Sequence, residues 1–351
     1  MNKTAILYAL ASAALFGAST PAAKVLLGTV HPILLAGLLY CGAGIGVAAV
    51  RRLIPRIASS TAAPQAALTG HDAPWLGAAI AAGGVLGPLL LMWGLDRTGA
   101  ATASLLLALE GAGTALIARF VFREHFDRRI LLGMACLVLA AIILSWAGTP
   151  TLDSVVGPIA IVGACVAWSL DNNLTRKVSL ADPLHIVELK GLVAGPFNIV
   201  LALVAGATVQ LSPILLFAAI IGFFGYGVSL VLYVLVLRQL GAARTGAYFS
   251  TAPFLGAIIS VVALGDTVTP GLFIAGGLMG LGVWLHATEH HEHEHIHEFT
   301  VHTHPHTHDE HHRHTHGLGD PPGEPHTHRH EHSPIKHAHS HTPDMHHDHQ
   351  H

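Results

Sequence analysis

Residues Gly94 to Glu124 read GLDRTGAATASLLLALEGAGTALIARFVFRE, and a second version of this stretch runs from Val236 to Asp266. An offset of 142 positions places Gly99-Ala100-Ala101 on Gly241-Ala242-Ala243. The apolar runs on either side of the two stretches align at the same offset. The repetition therefore predicts that most of the chain consists of two related halves, residues 1–148 and 149–288.

The composition is typical of a membrane protein. Hydrophobic residues make up 52% of the 351 residues and charged residues only 11%, against about 25% charged residues in soluble domains. Apolar runs of about 20 residues, the length that crosses a bilayer as a helix, recur through the two halves. We predict ten transmembrane spans: Thr4–Leu26, Pro32–Leu53, Trp75–Leu95, Ala101–Phe120, Ile130–Trp146, Val155–Leu174, Pro183–Ala205, Pro213–Leu237, Ala242–Leu264 and Pro270–His286.

Helices are the expected form of these spans, because backbone groups in lipid have to bond within their own segment. Five spans per half is an odd number, so the second half is expected to enter the membrane upside down. The predicted fold is an all-α polytopic membrane protein with two inverted five-helix repeats, 1–148 and 149–288, and a disordered cytoplasmic tail, 289–351. Inverted repeats of this kind bind a solute near the middle of the membrane, between the halves.

The distribution of lysine and arginine predicts the orientation. With the N-terminus in the cytoplasm, only Lys24 and Arg97 fall on the outer side of the membrane. The positive-inside rule then places both termini in the cytoplasm, and we expect a multi-pass protein of the bacterial cytoplasmic membrane. The inner side receives Lys3, Arg51, Arg52, Arg56, Arg119, Arg123, Arg128, Arg129, Arg176, Lys177, Arg238 and Arg244.

Three short motifs resemble a known family. They are LFGASTPAAK at Leu15–Lys24, FVFRE at Phe120–Glu124 and VVALGD at Val261–Asp266. Together with the ten-span, two-repeat layout they are similar to the EamA family of the drug/metabolite transporter superfamily. The resemblance implies a carrier of small organic solutes, often an exporter. The chain departs from the family at Glu110, where many relatives have proline, whereas the second half keeps Pro253.

Glu110 is the first candidate for a transport residue. It lies about ten residues into its span, hence about 15 Å deep, near the middle of the membrane. Charged groups are costly at that depth, and they mark solute or ion pathways. Glu110 is therefore interpreted as a carboxyl group that exchanges a proton or receives a cationic group. The alternative is a hydrogen-bonded acid that only holds two helices together.

A second group of candidates follows Trp168 in the sixth span, where Asp171, Asn172 and Asn173 are consecutive polar residues. Lipid exposure of an aspartate is costly, so we expect these residues to face the solute cavity. Aligning Lys177 on Lys24 places the two asparagines over Ser19 and Thr20 in the first span. Polar interruptions in corresponding spans favour a solute site. The alternative is that Asp171 pairs with Arg176 or Thr175.

Other candidates have a simpler explanation available. Glu188 lies three positions after His185 on the same face of the seventh span, which suits either a weak metal pair or simple helix pairing. Tyr233 and Tyr248 are expected to present rings to an organic solute in the cavity. Packing or anchoring at the membrane interface is the alternative for both tyrosines.

The tail from Glu289 holds 24 of the 29 histidines, among Glu, Thr and Pro. So few apolar residues predict disorder, and neutral imidazole binds Zn, Ni, Co and Cu ions well. The tail is interpreted as a metal trap, as a sensor of metal or pH, or as a passive appendage. The predicted ligands are His291, His293, His295, His297, His302, His304, His306, His308, His312, His314, His316, His326, His328 and His330.

The sequence as a whole favours a secondary transporter, an exporter of a small organic solute. A divalent metal (Ni, Co or Zn) efflux carrier and a membrane-anchored metal store or sensor are the alternatives. No phosphate loop, nucleophile elbow or zinc-protease motif occurs in the sequence, so we expect no enzymatic activity and no required cofactor. The expected partners are the lipid bilayer, a small-molecule solute and divalent metal ions, with a homodimer as an option and no nucleic acid.

Overall fold

The computed structural model describes residues 3–53, 68, 70, 72–122, 128–145, 152–178, 181–209, 212–287, 292–297, 300–306, 326–332 and 335–340. The chain divides into two compact units. One comprises Met1–Glu289 with Pro343–His351, and the other comprises His290–Thr342.

The described residues of the first unit are mainly helical. The first half contains α1 (Lys3–Leu27), α2 (Pro32–Leu53), α3 (Ala73–Ala79), the π-helical segment π1 (Ile80–Leu86), α4 (Gly87–Asp96), α5 (Ala100–Leu106), α6 (Leu109–Phe122) and α7 (Arg128–Ser145). The second half contains α8 (Leu152–Val178), α9 (Pro183–Val204), α10 (Pro213–Gly222), π2 (Phe223–Val228), α11 (Ser229–Phe249), α12 (Ala252–Leu264) and α13 (Pro270–Ala287). Several helices begin at proline, which has a fixed φ suited to the first helical position and lacks an N–H that would be unbonded there.

Six helices are long and apolar enough to cross a membrane: Thr4–Leu27, Pro32–Leu53, Ala73–Asp96, Val155–Val178, Pro183–Val204 and Pro213–Leu237. Three apolar helices are shorter, namely Leu131–Leu144, Ala252–Leu264 and Pro270–Leu285. The helical, polytopic character predicted from the sequence is confirmed by these helices. The count of ten spans stays a prediction.

Two predicted spans differ in detail from the helices of the structure. The fourth predicted span, Ala101–Phe120, is interrupted at Leu107 and Ala108, between α5 and α6. The predicted span Pro213–Leu237 agrees with one of the six long apolar helices, but α11 continues beyond it to Phe249. Good helix formers flank the single Gly241 there, and one glycine costs a helix only about 1 kcal/mol.

The repeat is visible in the irregular parts of the fold as well as in the sequence. Residues 81–86 of π1 correspond at an offset of 142 to π2, residues 223–228. The interruption at Leu107–Ala108 corresponds closely to the one at Ser250–Thr251, between α11 and α12. Each half therefore has a π-helical segment in its third span and a break in its fourth span.

The main helix contacts join one half to the other. The helix α2 packs on its repeat equivalent α9, and α7 packs on its equivalent α13. The first helix of each half packs on the third and fourth spans of the other half, α1 on α11 and α12, and α8 on α4 and α6. The α2–α9 contact is close because Gly44 and Gly191 face each other, and a Cβ atom on either would meet the other's backbone. The halves are interlocked rather than side by side.

The prediction of a disordered tail differs from the structure in four stretches. These are β1 (Glu292–His297), β2 (Thr300–His306), β3 (His326–His332) and β4 (Ile335–Ser340). The strands β1 and β4 pair antiparallel, as do β2 and β3, so two two-stranded ribbons form. The physical reason is the alternation of histidine with Thr, Val or Glu, which has the period of two that a strand requires.

Candidate functional site

A small cavity lies between the two halves. We call it the Glu110 cavity, and its volume is about 60 Å³. A binding pocket for a drug-sized solute is larger, about 300–1,000 Å³, so this cavity is too small to hold such a solute. Its walls are Phe16, Tyr40, Glu110, Trp168, Asp171, Asn172, Gly225, Tyr226, Ser229, Leu230, Tyr233 and Phe249.

Glu110 is the second residue of α6 and follows directly on the break in the fourth span. Its Oε1 atom accepts a hydrogen bond from Nδ2 of Asn172 at 2.8 Å, and Asn172 belongs to α8 of the other half. Its backbone carbonyl accepts hydrogen bonds from Ser169 and Thr114, each at 2.9 Å. Among the residues that the structure describes, no cation pairs with the carboxyl group of Glu110. The sequence predictions for Glu110 and Asn172 thus fall on one contact between the halves.

Asp171 has a counter-charge, and it comes from a residue that sequence analysis missed. Nζ of Lys190 in α9 lies 2.5 Å from Oδ1 of Asp171 and 2.7 Å from Oγ1 of Thr175. Thr175 also donates to Oδ1 of Asp171 at 2.8 Å. The Lys190 side chain is only 2% exposed, so the ion pair is buried. Of the two residues, Asp171 is the one that lines the cavity. The sequence did contain a sign of this pairing, because a lysine in the middle of an apolar span needs a partner for its charge.

The π1 segment supplies backbone acceptors at the same place. The carbonyl of Gly83 accepts from the Tyr40 hydroxyl at 2.5 Å and from Nε1 of Trp168 at 2.9 Å. The carbonyl of Gly84 accepts from Nδ2 of Asn198 at 3.0 Å. A Cβ atom at position 83 would collide with the Asp171 carboxyl group, so only glycine fits there. Each of these contacts joins the first half to the second, except the one from Tyr40.

Of the remaining predicted site residues, some line the cavity and others do not. Tyr233 lines the cavity, whereas Tyr248 packs beside the cluster of Ala5, Ala9 and Val236. Nδ2 of Asn173 donates to backbone carbonyls rather than facing the cavity.

Ser19 and Thr20 are buried outside the cavity wall. The Ser19 hydroxyl donates to the carbonyl of Phe16 at 2.6 Å. Ser19 lies against Gly225, where a Cβ atom would meet the serine side chain. The Thr20 hydroxyl has no hydrogen-bond partner within the described part of the chain. The sequence alignment of Ser19 and Thr20 with Asn172 and Asn173 predicted four residues facing the cavity. Of these four, only Asn172 lines it.

Glu188 lies at one end of the bundle, away from the cavity. Its carboxylate pairs with Nη1 of Arg51 at 2.9 Å and with Nη2 of Arg52 at 2.8 Å. Nε of Arg51 is also 3.3 Å from Asp182. These pairs link the last turn of α2 to the start of α9, so Glu188 joins the two halves instead of lining the solute site. We call this group the arginine joint.

The opposite end of the bundle is joined differently. Nζ of Lys24 donates to the carbonyls of Leu95 and Asp96 at 2.5 and 3.2 Å, which satisfies the C-terminal end of α4. Oδ2 of Asp266, in the second half, accepts a hydrogen bond from the backbone N–H of Ala101 at 2.8 Å. Ala101 lies at the N-terminal end of α5. The start of the repeated stretch at Gly94 is therefore in contact with α1 and with the end of the second copy at Asp266.

The structure describes no group of three or more metal-ligating side chains among the residues searched. The backbone register of the tail sets histidines opposite one another, for example His293 opposite His339 and His302 opposite His330. Nine of the fourteen predicted ligands belong to described strands. The others, His291, His308, His312, His314 and His316, lie outside the described residues.

Two comparisons with known sequences agree with this architecture. The model of the EamA-like transporter family matches residues 3–146 and 155–288, which is more than three quarters of the chain. An uncharacterized transporter of Methanothermobacter thermautotrophicus is 27% identical over 281 residues, covering 77% of this chain and 82% of that protein. An uncharacterized transporter of Bacillus subtilis, YyaM, is 26% identical over 204 residues, covering 55% of this chain and 66% of that protein.

A solved structure supports the fold as well. One solved crystal structure matches this chain with a TM-score of 0.59 and 18% sequence identity. The match covers 81% of this chain and 96% of that one. At this identity the likeness concerns the fold alone. The family match, the apolar helices and the paired halves point to the same conclusion. The chain belongs to the EamA-like transporter family and is a multi-pass membrane transporter.

Proposed function

We propose that the protein is a secondary exporter that moves a small organic solute out across the cytoplasmic membrane in exchange for protons. Both termini lie in the cytoplasm in this proposal, so the arginine joint faces inward. The observation that carries the proposal is the hydrogen bond from Asn172 to Glu110. It lies at the contact between the two halves and in the wall of the cavity, and no cation among the described residues pairs with the carboxyl group of Glu110.

A proton on Glu110 changes this contact directly. The ionised carboxylate only accepts hydrogen bonds, whereas the protonated acid also donates one, so the groups that surround it have to rearrange. Glu110 belongs to α6 and Asn172 belongs to α8, so the rearrangement alters how the halves are held together. The adjacent break at Leu107–Ala108 allows α6 to tilt without bending a continuous helix. Discontinuous helices at the interface of two repeats are the usual site of solute and ion binding in such transporters.

The small size of the cavity fits one step of such a cycle. A volume of about 60 Å³ has room for water but not for a drug-sized solute. An organic solute therefore enters only after the halves separate on one side. The arginine joint at one end, and the contacts of Lys24 and Asp266 at the other, are the contacts that have to open in turn.

Glu110→Gln tests the proposal in vesicles that contain the purified protein and a pH-sensitive dye. The probes are panels of amines, amino acids and carboxylic acids added under an imposed pH gradient. We expect solute-dependent proton movement with the native chain and its loss with Glu110→Gln, because glutamine cannot take up a proton.

The matched control is Asp96→Asn, which removes an exposed carboxylate whose side chain pairs only with Arg97 among the described residues. We expect this variant to retain proton movement. Equal proton movement by Glu110→Gln would exclude Glu110 from the coupling. Solute flux without any proton movement would contradict the exchange itself.

A further inference from the structure

The walls of the Glu110 cavity are dominated by aromatic rings. Six rings line it, from Phe16, Tyr40, Trp168, Tyr226, Tyr233 and Phe249. Their centroids form a connected series of contacts between 5.0 and 5.8 Å, several of them edge to face. Two rings belong to the first half and four belong to the second. Separation of the halves therefore exposes ring faces that now cover one another.

The charge balance of the cavity is negative. Asp171 is neutralised by Lys190, which lies 2.5 Å from it. Glu110 is bonded to the neutral amide of Asn172. Among the described residues that line the cavity, none is a lysine or an arginine. A solute carboxylate would meet Glu110 with no cation to receive it, whereas a solute cation would find both a carboxylate and ring faces.

A third feature is a hydroxyl group in the cavity wall that can accept a further hydrogen bond. The hydroxyl group of Tyr226 is buried near the hydroxyl of Ser19, which already donates to the carbonyl of Phe16 at 2.6 Å. By distance and angle, Tyr226 makes no hydrogen bond within the described part of the chain. Tyr226 is 6% exposed and lines the cavity. A buried hydroxyl without a partner costs free energy, and the cost is removed when a ligand supplies a donor or an acceptor. An ammonium N–H group is such a donor.

We infer that the solute of the Glu110 cavity is an organic cation, an ammonium group carried on an aromatic or other apolar body. The carboxylate of Glu110 binds the charge, the ring faces bind the cation through their quadrupoles, and the Tyr226 hydroxyl accepts an N–H group. The inference rests on the proposed function, because it assigns the solute class of the same site. It goes beyond that proposal by excluding acidic and zwitterionic solutes.

Four probes that share one phenyl ring test the inference: 2-phenylethylammonium, 2-phenylethanol, phenylacetate and phenylalanine. Binding to the purified full-length protein in detergent is measured by titration calorimetry at neutral pH. We expect 2-phenylethylammonium to bind about 30-fold more tightly than each of the other three, the factor to which a desolvated cation–ring contact corresponds. The same preference is expected for transport into vesicles.

Three variants locate the preference. Glu110→Gln is expected to lose most of the preference for the cation over the alcohol, and the remaining rings account for what is left. Tyr233→Leu keeps the carboxyl group but removes a ring, and we expect it to weaken cation binding about three- to tenfold. Asp96→Asn is the control and is expected to keep the full preference. Thermal melting of each variant confirms that it is folded before its affinity is compared.

The two proposals fail in different ways. Binding of phenylacetate, phenylalanine or 2-phenylethanol as tight as that of the cation would overturn the inference, and so would an undiminished preference in Glu110→Gln. Proton exchange for phenylalanine or phenylacetate, without binding of 2-phenylethylammonium, would leave the proposed exporter intact and remove the cation assignment. Cation binding through Glu110 without flux of any probe would leave the cation site intact and remove the exporter.

Discussion

Two acids lie in the wall of one cavity, and their surroundings differ. Asp171 accepts hydrogen bonds from Lys190 and Thr175, so its charge is compensated within the protein. Glu110 accepts one from Asn172, a neutral amide. A carboxylate that is paired with a lysine binds a proton or a further cation less readily than an unpaired one. Within the described part of the chain Glu110 has no counter-charge, and in our proposal it is therefore the acid that exchanges a proton.

Lys190→Met tests the structural role of the buried pair. Removing the lysine leaves Asp171 buried without a counter-charge, which typically costs about 3–5 kcal/mol of folding free energy. We expect a clear fall in the midpoint of thermal unfolding in detergent. The double variant Lys190→Met/Asp171→Asn removes both charges and is expected to recover a large part of the loss. If the single and double variants are equally destabilised, the two residues are not energetically coupled.

At the scale of elements, the third and fourth spans of each half are irregular, and the irregular segments lie in the cavity wall or contact residues that form it. The π1 segment directs the Gly83 carbonyl to Tyr40 and Trp168. The corresponding π2 segment contributes Gly225 and Tyr226 to the wall. A π-helical turn inside an α-helix often marks a functional site. The regular helices α2, α7, α9 and α13 pack against one another and support the irregular ones.

Gly83→Ala tests the close approach at π1. The added Cβ atom would collide with the Asp171 carboxyl group, so α8 or π1 has to move. Overpacking of this kind costs roughly 1–3 kcal/mol, and we expect both a lower unfolding midpoint and loss of transport. Gly77→Ala is the matched control on the same span, since a Cβ atom there meets nothing within 4 Å. Equal unfolding midpoints and equal transport by the two variants would show that the protein accommodates a Cβ atom at position 83 without strain.

At the scale of the whole molecule, the two halves contact each other in the cavity and at both ends of the bundle. The arginine joint connects α2 to α9 at one end through Glu188. The contact of Asp266 with Ala101 connects the halves at the other end. A transporter that exposes its cavity to one side at a time has to weaken one of these ends while the other stays closed. The strength of the arginine joint therefore sets part of the balance between the two states.

Glu188→Gln is expected to shift that balance toward opening at the arginine joint, which is the cytoplasmic end in our proposal. Pairs of partly exposed ions contribute about 0.2–1 kcal/mol each, so we expect about a threefold change in population. The measurement is the rate at which a membrane-impermeant maleimide labels Leu230→Cys in the cavity, in a background without the native cysteines.

Reagent added on the cytoplasmic side should label faster in this variant. Asp96→Asn is the control, with an unchanged rate expected. Faster labelling from the opposite side would show that the joint has been assigned to the wrong face of the membrane.

Much of this arrangement could be predicted from the sequence, and the exceptions have physical reasons. Repetition and hydropathy predicted the helical halves, and the cost of burying charge singled out Glu110 and Asp171. Lys190 was missed because its partner Asp171 lies 19 positions away on another helix, and such a pairing depends on tertiary packing. The break at Leu107–Ala108 was missed because neither residue disfavours a helix.

The π-helical segments also bear on how the two halves depend on each other. A π turn holds one more residue than the α turn that it replaces, and both halves carry one at the same offset of 142 positions. The extra residue is therefore a feature that the two copies of the repeat share. Because the first helix of each half packs on the third and fourth spans of the other, and because both halves supply walls of the cavity, neither half alone can enclose it.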